Sequence, residues 1–271
     1  MSEKSFPDAP DAARRAQNND AVRGLARGGY VASGVLHLLV GWLAVQLALG
    51  RPAAQADGSG AFRMLAQMPA GDVVLWAVAL GFAALTVWQL ATAVVGVPNT
   101  THQAAARAKS VAKSVLYGVL AATGVRNVQG AGGSSSSEES MTAGVLGMPG
   151  GPWLVGLAGL AIVAVGGYHV VKGVRKKFLD DLTGTGGSSV RPVVVRLGQV
   201  GYVAKGIALG VVGGLLVAAA VTADADQAGG LDEALRAMRD QPFGTVLLLV
   251  TGLGIASFGG YSLARARFAR L

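Results

Sequence analysis

The sequence contains no cysteine. Disulfides, thiol nucleophiles and cysteine-held metals or clusters are therefore excluded. Charge is also scarce: Asp, Glu, Lys and Arg make up 14% of the chain, against about 25% in soluble domains. So few charges do not cover a soluble surface. The three histidines, His37, His102 and His169, lie on separate segments without ligand spacing, so no metal site is expected. There is no phosphate-binding glycine loop, no HExxH helix and no nucleophile elbow. Gly28, Gly29 and Gly34 sit in no βαβ unit and do not make a dinucleotide fingerprint. Paired intramembrane carboxylates are missing too, since only Asp72 borders an apolar run. No cofactor and no enzymatic activity are expected.

What is present is apolar. Hydrophobic residues make up 52%, with 41 glycines and a mean hydropathy of +0.48. Six apolar runs fall near 25–49, 72–97, 108–128, 152–174, 193–222 and 243–264. About 20 residues suffice for a bilayer-spanning helix. The expected class is an all-α polytopic integral membrane protein with six transmembrane helices. Residues 1–22 are polar and read as a cytoplasmic tail. Arg14, Arg15, Arg23 and Arg27 before the first run, and Ala54-Gln55-Ala56 after it, resemble a signal peptide. The run is longer than a usual signal core, and two relatives of it lie inside the chain. It is read as a retained span.

Those relatives reveal a repeat. Tyr30, Ser110 and Tyr202 occupy equivalent positions in similar stretches. Gly71, Gly151 and Gly244 follow them by 41, 41 and 42 residues, each two residues after Pro69, Pro149 or Pro242. Trp88, Tyr168 and Tyr261 follow those glycines by 17 residues every time. Independent landmarks at constant spacing mark tandem units: two-helix hairpins at 23–97, 104–175 and 195–266. All three hairpins start and end on one side, so they are parallel and are expected around a pseudo-threefold axis.

Each hairpin carries a segment before its proline. Leu231, Leu235 and Met238 form one apolar stripe opposite a charged face. Residues 61–68 have similar spacing, and 141–147 look like a degraded copy. These predict short amphipathic helices on the membrane surface in the outside loops. The stretch 130–139 reads as a flexible loop.

Of the 23 Lys and Arg, 18 fall on the side of the termini and 5 on the hairpin side. The positive-inside rule then puts both termini in the cytoplasm of a bacterial plasma membrane. The basic balance is explained by orientation, with anionic lipid headgroups as partners at the cytoplasmic face and no nucleic acid. A protein partner or a homo-oligomer is compatible with the chain. Tyr30, Tyr202, Trp88, Tyr168 and Tyr261 all fall near the cytoplasmic helix ends, where an aromatic belt of interface anchors is expected. Gly24, Gly28, Gly156, Gly159, Gly210, Gly213, Gly214, Gly252 and Gly254 read as helix-packing positions.

Polar side chains inside the runs are the candidate site. Ser33, Lys113 and Lys205 are equivalent, and His37 and Tyr117 lie one turn further on. Gln89, His169 and Ser262 follow the aromatic landmarks of the even helices. All eight fall in the cytoplasmic leaflet at comparable depth, as a candidate polar axis. Two readings are open: a polar ring at the axis, or interhelical hydrogen bonds with Lys113 and Lys205 snorkelling to headgroups.

The stretches Ala26-Arg27-Gly28-Gly29-Tyr30-Val31-Ala32-Ser33-Gly34 and Gly201-Tyr202-Val203-Ala204-Lys205-Gly206, with the Gly-Gly-Tyr ends of helices four and six, resemble a bacterial membrane-protein family frequent in actinobacteria, domain of unknown function 1206. The resemblance implies six spans and three repeats over about 23–266, and no activity. The three-hairpin plan is similar to mitochondrial carriers in architecture alone; their proline-acid-basic signature is missing. The expected function is non-enzymatic: structural, scaffolding or lipid-interacting. The alternative is a small-solute carrier or channel with its site at the axis.

Overall fold

The computed structural model describes residues 20–51, 55–96, 103–129, 142–184, 190–224 and 230–269. Most of the polar tail and the 130–139 loop lie outside the described residues. Eight helices are labelled in chain order: α1 (Asp20–Ala48), α2 (Gly58–Ala66), α3 (Gly71–Val95), α4 (Gln103–Val128), α5 (Gly151–Val174), α6 (Val190–Thr222), α7 (Leu231–Arg239) and α8 (Gly244–Phe268). Residues 142–146 make one helical turn where the degraded copy was expected. Five of the six long helices are apolar and long enough to cross a membrane. The other, α4, has 26 residues but is more polar, as its weak apolar run foreshadowed.

The proline landmarks have one job. After each short helix, Ala70, Gly150 and Phe243 adopt left-handed φ of +60°, +76° and +61°. The amides of Gly71, Gly151 and Gly244 then donate to Met68, Met148 and Gln241 carbonyls at 2.8 Å each. A Cβ on any of these glycines would collide with a carbonyl oxygen of the preceding helix. Glycine is needed there for backbone approach.

The long helices make a sequence of neighbours. α1 packs on α3, α3 on α4, α5 on α6, α6 on α8, and α8 back on α1. No comparable packing joins α4 to α5. The junctions between units repeat one pattern of close approach. At α8/α1, a Cβ on Gly41 would fall 2.6 Å from the Gly252 oxygen, and one on Gly259 2.8 Å from the Gly34 oxygen. At α5/α6, a Cβ on Gly213 would fall 2.6 Å from the Gly159 oxygen, and one on Gly206 2.6 Å from the Gly166 oxygen. In the repeat these are the same four positions. Small residues let membrane helices approach at backbone distance. The α3/α4 junction keeps the register with slightly larger residues, Thr86 beside Gly118 and Ala79 beside Gly124.

Within units 1 and 3, Gly29 seats Leu85 and Gly201 seats Phe258. The equivalent residue in unit 2 is Lys109. A lysine there cannot admit the partner helix, and α4 and α5 stand apart. Lys109 Nζ instead donates to the Tyr168 hydroxyl at 3.1 Å and lies 5.0 Å from the centre of its ring.

Three expectations are corrected. The aromatic landmarks are not a belt of lipid-facing anchors: Tyr30, Trp88, Tyr202 and Tyr261 are buried, and only Tyr168, 45% exposed, faces outward. Helix depth is the same for a belt and for a core tyrosine, but azimuth differs. The amphipathic helices do not turn their apolar faces to lipid. Phe62 and Leu65 of α2, and Leu235 and Met238 of α7, enter the bundle core and cap its hairpin end. Of the glycines read as packing positions, Gly24 and Gly214 have no neighbour that a Cβ would meet.

Candidate ligand chamber and the cation cluster beneath it

The bundle is not filled. A cavity of about 420 Å³ lies among α1, α4, α6 and α8. Leu116, Leu120, Ala208, Leu209, Val212 and Ile255 make its apolar walls. Asp57, Gly58 and Ser59 of α2's first turn, and Gly230 and Leu231 of α7's, bound its hairpin end. His37 and Lys205 also line it. From Lys205 to Val212 is two helical turns, roughly 10 Å at 1.5 Å per residue.

Lys205 Nζ donates to His37 Nε2 at 3.0 Å. His37 Nδ1 donates to the Ser33 carbonyl at 2.7 Å. A carbonyl only accepts, so Nδ1 carries the proton and Nε2 offers its lone pair to the lysine. Lys205 Nζ also lies 4.2 Å from the centre of the Phe258 ring, which packs at a tilt against His37. No carboxylate pairs with Lys205 among the described residues. Intramembrane cations usually face a cavity or a partner; this one has the cavity.

At the hairpin end, Asp57 caps α2, its Oδ1 accepting from the Gly60 amide at 2.8 Å. Burial pushes the Asp57 carboxyl above its ordinary value; the Gly60 amide opposes this, and nearby Asp232 adds to the rise. Asp232 accepts from the Ala56 amide at 2.7 Å and from Arg236 at 2.8 Å, tying α7 to the start of α2.

Below the chamber, towards the termini, is a second cluster that the sequence reading did not single out. A 3₁₀ turn at Lys177–Asp181 follows α5 and buries Phe178. The turn delivers Asp181 to two cations. Lys172 Nζ donates to Asp181 Oδ2 at 2.5 Å, and Arg265 Nη2 lies 3.8 Å from the same oxygen. Burial pushes the Asp181 carboxyl up, but Arg265 and Lys172 outweigh it and hold it below its ordinary value. Arg265 stacks 4.5 Å over Tyr30, and Lys172 5.1 Å over Tyr202. Each cation thus comes from the even helix of one unit onto the tyrosine of the next. Tyr261, fully buried, donates to the Phe178 carbonyl at 3.0 Å. The signal was available: Thr92, Lys172 and Arg265 each stand four residues after an aromatic landmark.

The eight candidate residues are only partly brought together. His37, Lys205 and the Ser33 carbonyl form one group at the chamber. Lys113 lies in electrostatic reach of Arg265, Lys109, Asp181 and Lys172 in the lower cluster. Tyr117 stacks on Phe82. Gln89 is buried on α3. Ser262 bonds to the Phe258 carbonyl of its own helix at 2.9 Å. His169 bonds to the Val165 carbonyl at 2.8 Å and stacks on Tyr202. Those last four do not join the chamber group. No three His, Asp or Glu gather as for a metal among the described residues.

Comparison with known proteins agrees with the repeat. The chain is similar to an uncharacterized protein, YxxB, of Bacillus subtilis (strain 168), 29% identical over 248 residues, covering 90% of each chain. No solved structure matches. The profile of one family, Domain of Unknown Function (DUF1206), matches three times, at 28–96, 108–176 and 200–269. With most of its length covered by those three matches, the chain belongs to the DUF1206 family.

Proposed function

We propose that this is a non-enzymatic, lipid-interacting protein of the bacterial plasma membrane, with six spans and both termini in the cytoplasm. Its three hairpins are related by a pseudo-threefold axis along the membrane normal. The shared register of the three inter-unit junctions supports that symmetry. The 18-to-5 partition of Lys and Arg supports the orientation. The observation that carries the lipid reading is the unfilled chamber, apolar-walled and with a lysine at its base. The space is open on the α4 side, where Leu116 and Val119 are exposed, so a lipid chain can enter it. The basic terminal side adds attraction for anionic headgroups.

Mass spectrometry of the full chain purified in mild detergent tests this. The expected result is bound lipid that survives purification and whose removal lowers the melting temperature. A lipid-free protein indifferent to added lipid overturns the reading. Maleimide labelling of Phe243→Cys from outside, and of Lys176→Cys only after permeabilisation, tests the topology; the reverse pattern refutes it. One observation favours the carrier alternative: the chamber has a cation at one end and Asp57 at the other. Solute flux in proteoliposomes, abolished by Lys205→Met, is the outcome that selects it.

A further inference from the structure

We propose that the chamber takes a single-chain amphiphile with an acidic headgroup, reached from the bilayer through the side between α4 and α5. This deepens the lipid-interacting reading and rests on it. The headgroup sits against Lys205 Nζ, and the chain runs along Leu116, Leu120, Ala208 and Val212 towards the hairpin end.

Charge selects the headgroup. Lys205 has a neutral imidazole and an aromatic face as neighbours, but no carboxylate among the described residues. The other nearby cations share Asp181, which is already held by Lys172 and Arg265. An arriving anion supplies the missing counter-charge. Asp57 at the far end repels an anion, so the chamber also sets the ligand's direction.

Shape selects the chain. The walls between the two ends are aliphatic, and about 420 Å³ falls within the range of sites for one drug-sized ligand. Access follows from the sequence of unit 2. Lys109 replaces the glycine that seats the partner helix in units 1 and 3, and α4 and α5 do not pack. Leu116 and Val119 line the chamber and yet are 53% and 58% exposed. At that depth the surroundings are acyl chains, not water. The first turns of α2 and α7 cap the hairpin end, which disfavours a solute arriving from outside.

The test is photo-crosslinking of the full chain in nanodiscs with a diazirine-bearing palmitate, mapped by mass spectrometry. Labels are expected on 116–123 and 208–212. Oleate and lysophosphatidate should compete, and whichever competes better identifies a carboxylate or a phosphate head. Monoolein and two-chain phosphatidic acid should not compete. Lys205→Met is expected to cut labelling about tenfold, and Lys205→Arg to keep it. Removing an unpaired buried cation should leave the melting temperature unchanged or raised, which separates lost binding from misfolding. Ala208→Trp, which fills the chamber from the opposite wall, should abolish labelling by itself. Labels confined to the outer face of α5, equal competition by monoolein, or undiminished labelling of a folded Lys205→Met protein overturn the proposal. If lipids co-purify but palmitate labels nothing in the chamber, this inference fails while the general lipid reading stands.

Discussion

The α8/α1 and α5/α6 sides of the bundle are closed at backbone distance by glycines in identical register, whereas the α4 and α5 side stands open beside Lys109. The hairpins descend from one pattern, so the difference is local. A single position, occupied by Gly29, Lys109 and Gly201, separates two self-packed units from one whose helices lean on their neighbours. Threefold repetition builds the wall, and its breach in one unit gives the interior a door.

The sharpest way to break the comparison is at a closed junction. Gly206→Leu should clash with the Gly166 carbonyl and with Val170, costing roughly 1–3 kcal/mol or more. Gly210→Leu, one turn away, where an added Cβ would meet nothing within 4 Å, should be tolerated. Equal melting temperatures for the two variants would show that the junction is not closed by backbone contact.

Next in size is Asp181, which joins unit 2 to unit 3. Asp181→Asn leaves Lys172 and Arg265 without their shared counter-charge, and about 1–3 kcal/mol should be lost, less than for a fully buried pair because the carboxylate is partly exposed. The folded carboxyl binds its proton less readily than the unfolded one. Its stabilisation is therefore complete above the unfolded value of about 3.9, and is lost as the pH falls below that towards the folded value. Thermal melts from pH 7 to pH 3 should show an acid limb in the parent that is reduced in Asp181→Asn.

Lys109→Gly should sharpen the comparison by closing the open side. Spin labels at Leu116→Cys and Ala161→Cys should move closer, with a stability change of about 1 kcal/mol or less. An unchanged distance would mean that Lys109 is not what keeps the helices apart.

The smallest effect concerns the proline turns. Phe243 is left-handed and exposed, a conformation costing roughly 1–2 kcal/mol for residues with a Cβ. Phe243→Gly should gain up to about 1 kcal/mol, while Gly150→Ala at the equivalent turn should lose about as much. Melting temperatures of the two variants check this.

Position along each helix was legible in the sequence; direction around it was not. The spacing of Tyr30, Gly71 and Trp88 and their relatives located the hairpins and the turns. The long helices are apolar on most faces, so periodicity carries little azimuthal signal. That is why buried Tyr30, Tyr202 and Tyr261 read as interface anchors. It is also why Ser33, His37 and Lys205, which do meet, could not be told from Gln89 and Ser262, which do not join them. Asp181 was hidden for a different reason: it acts from a connecting turn whose position depends on Phe178 docking between Tyr202 and Tyr261.

The contact of α8 with α1 sets an order of assembly. The first hairpin precedes α8 in the chain by more than 140 residues, yet the face of α1 that bears Gly34 and Gly41 meets its partner only when α8 is present. The bundle is therefore completed only when α8 docks, carrying Arg265 to Tyr30 and Asp181. A chain cut short before α8 keeps its α5/α6 junction and lacks the one that joins its beginning to its end.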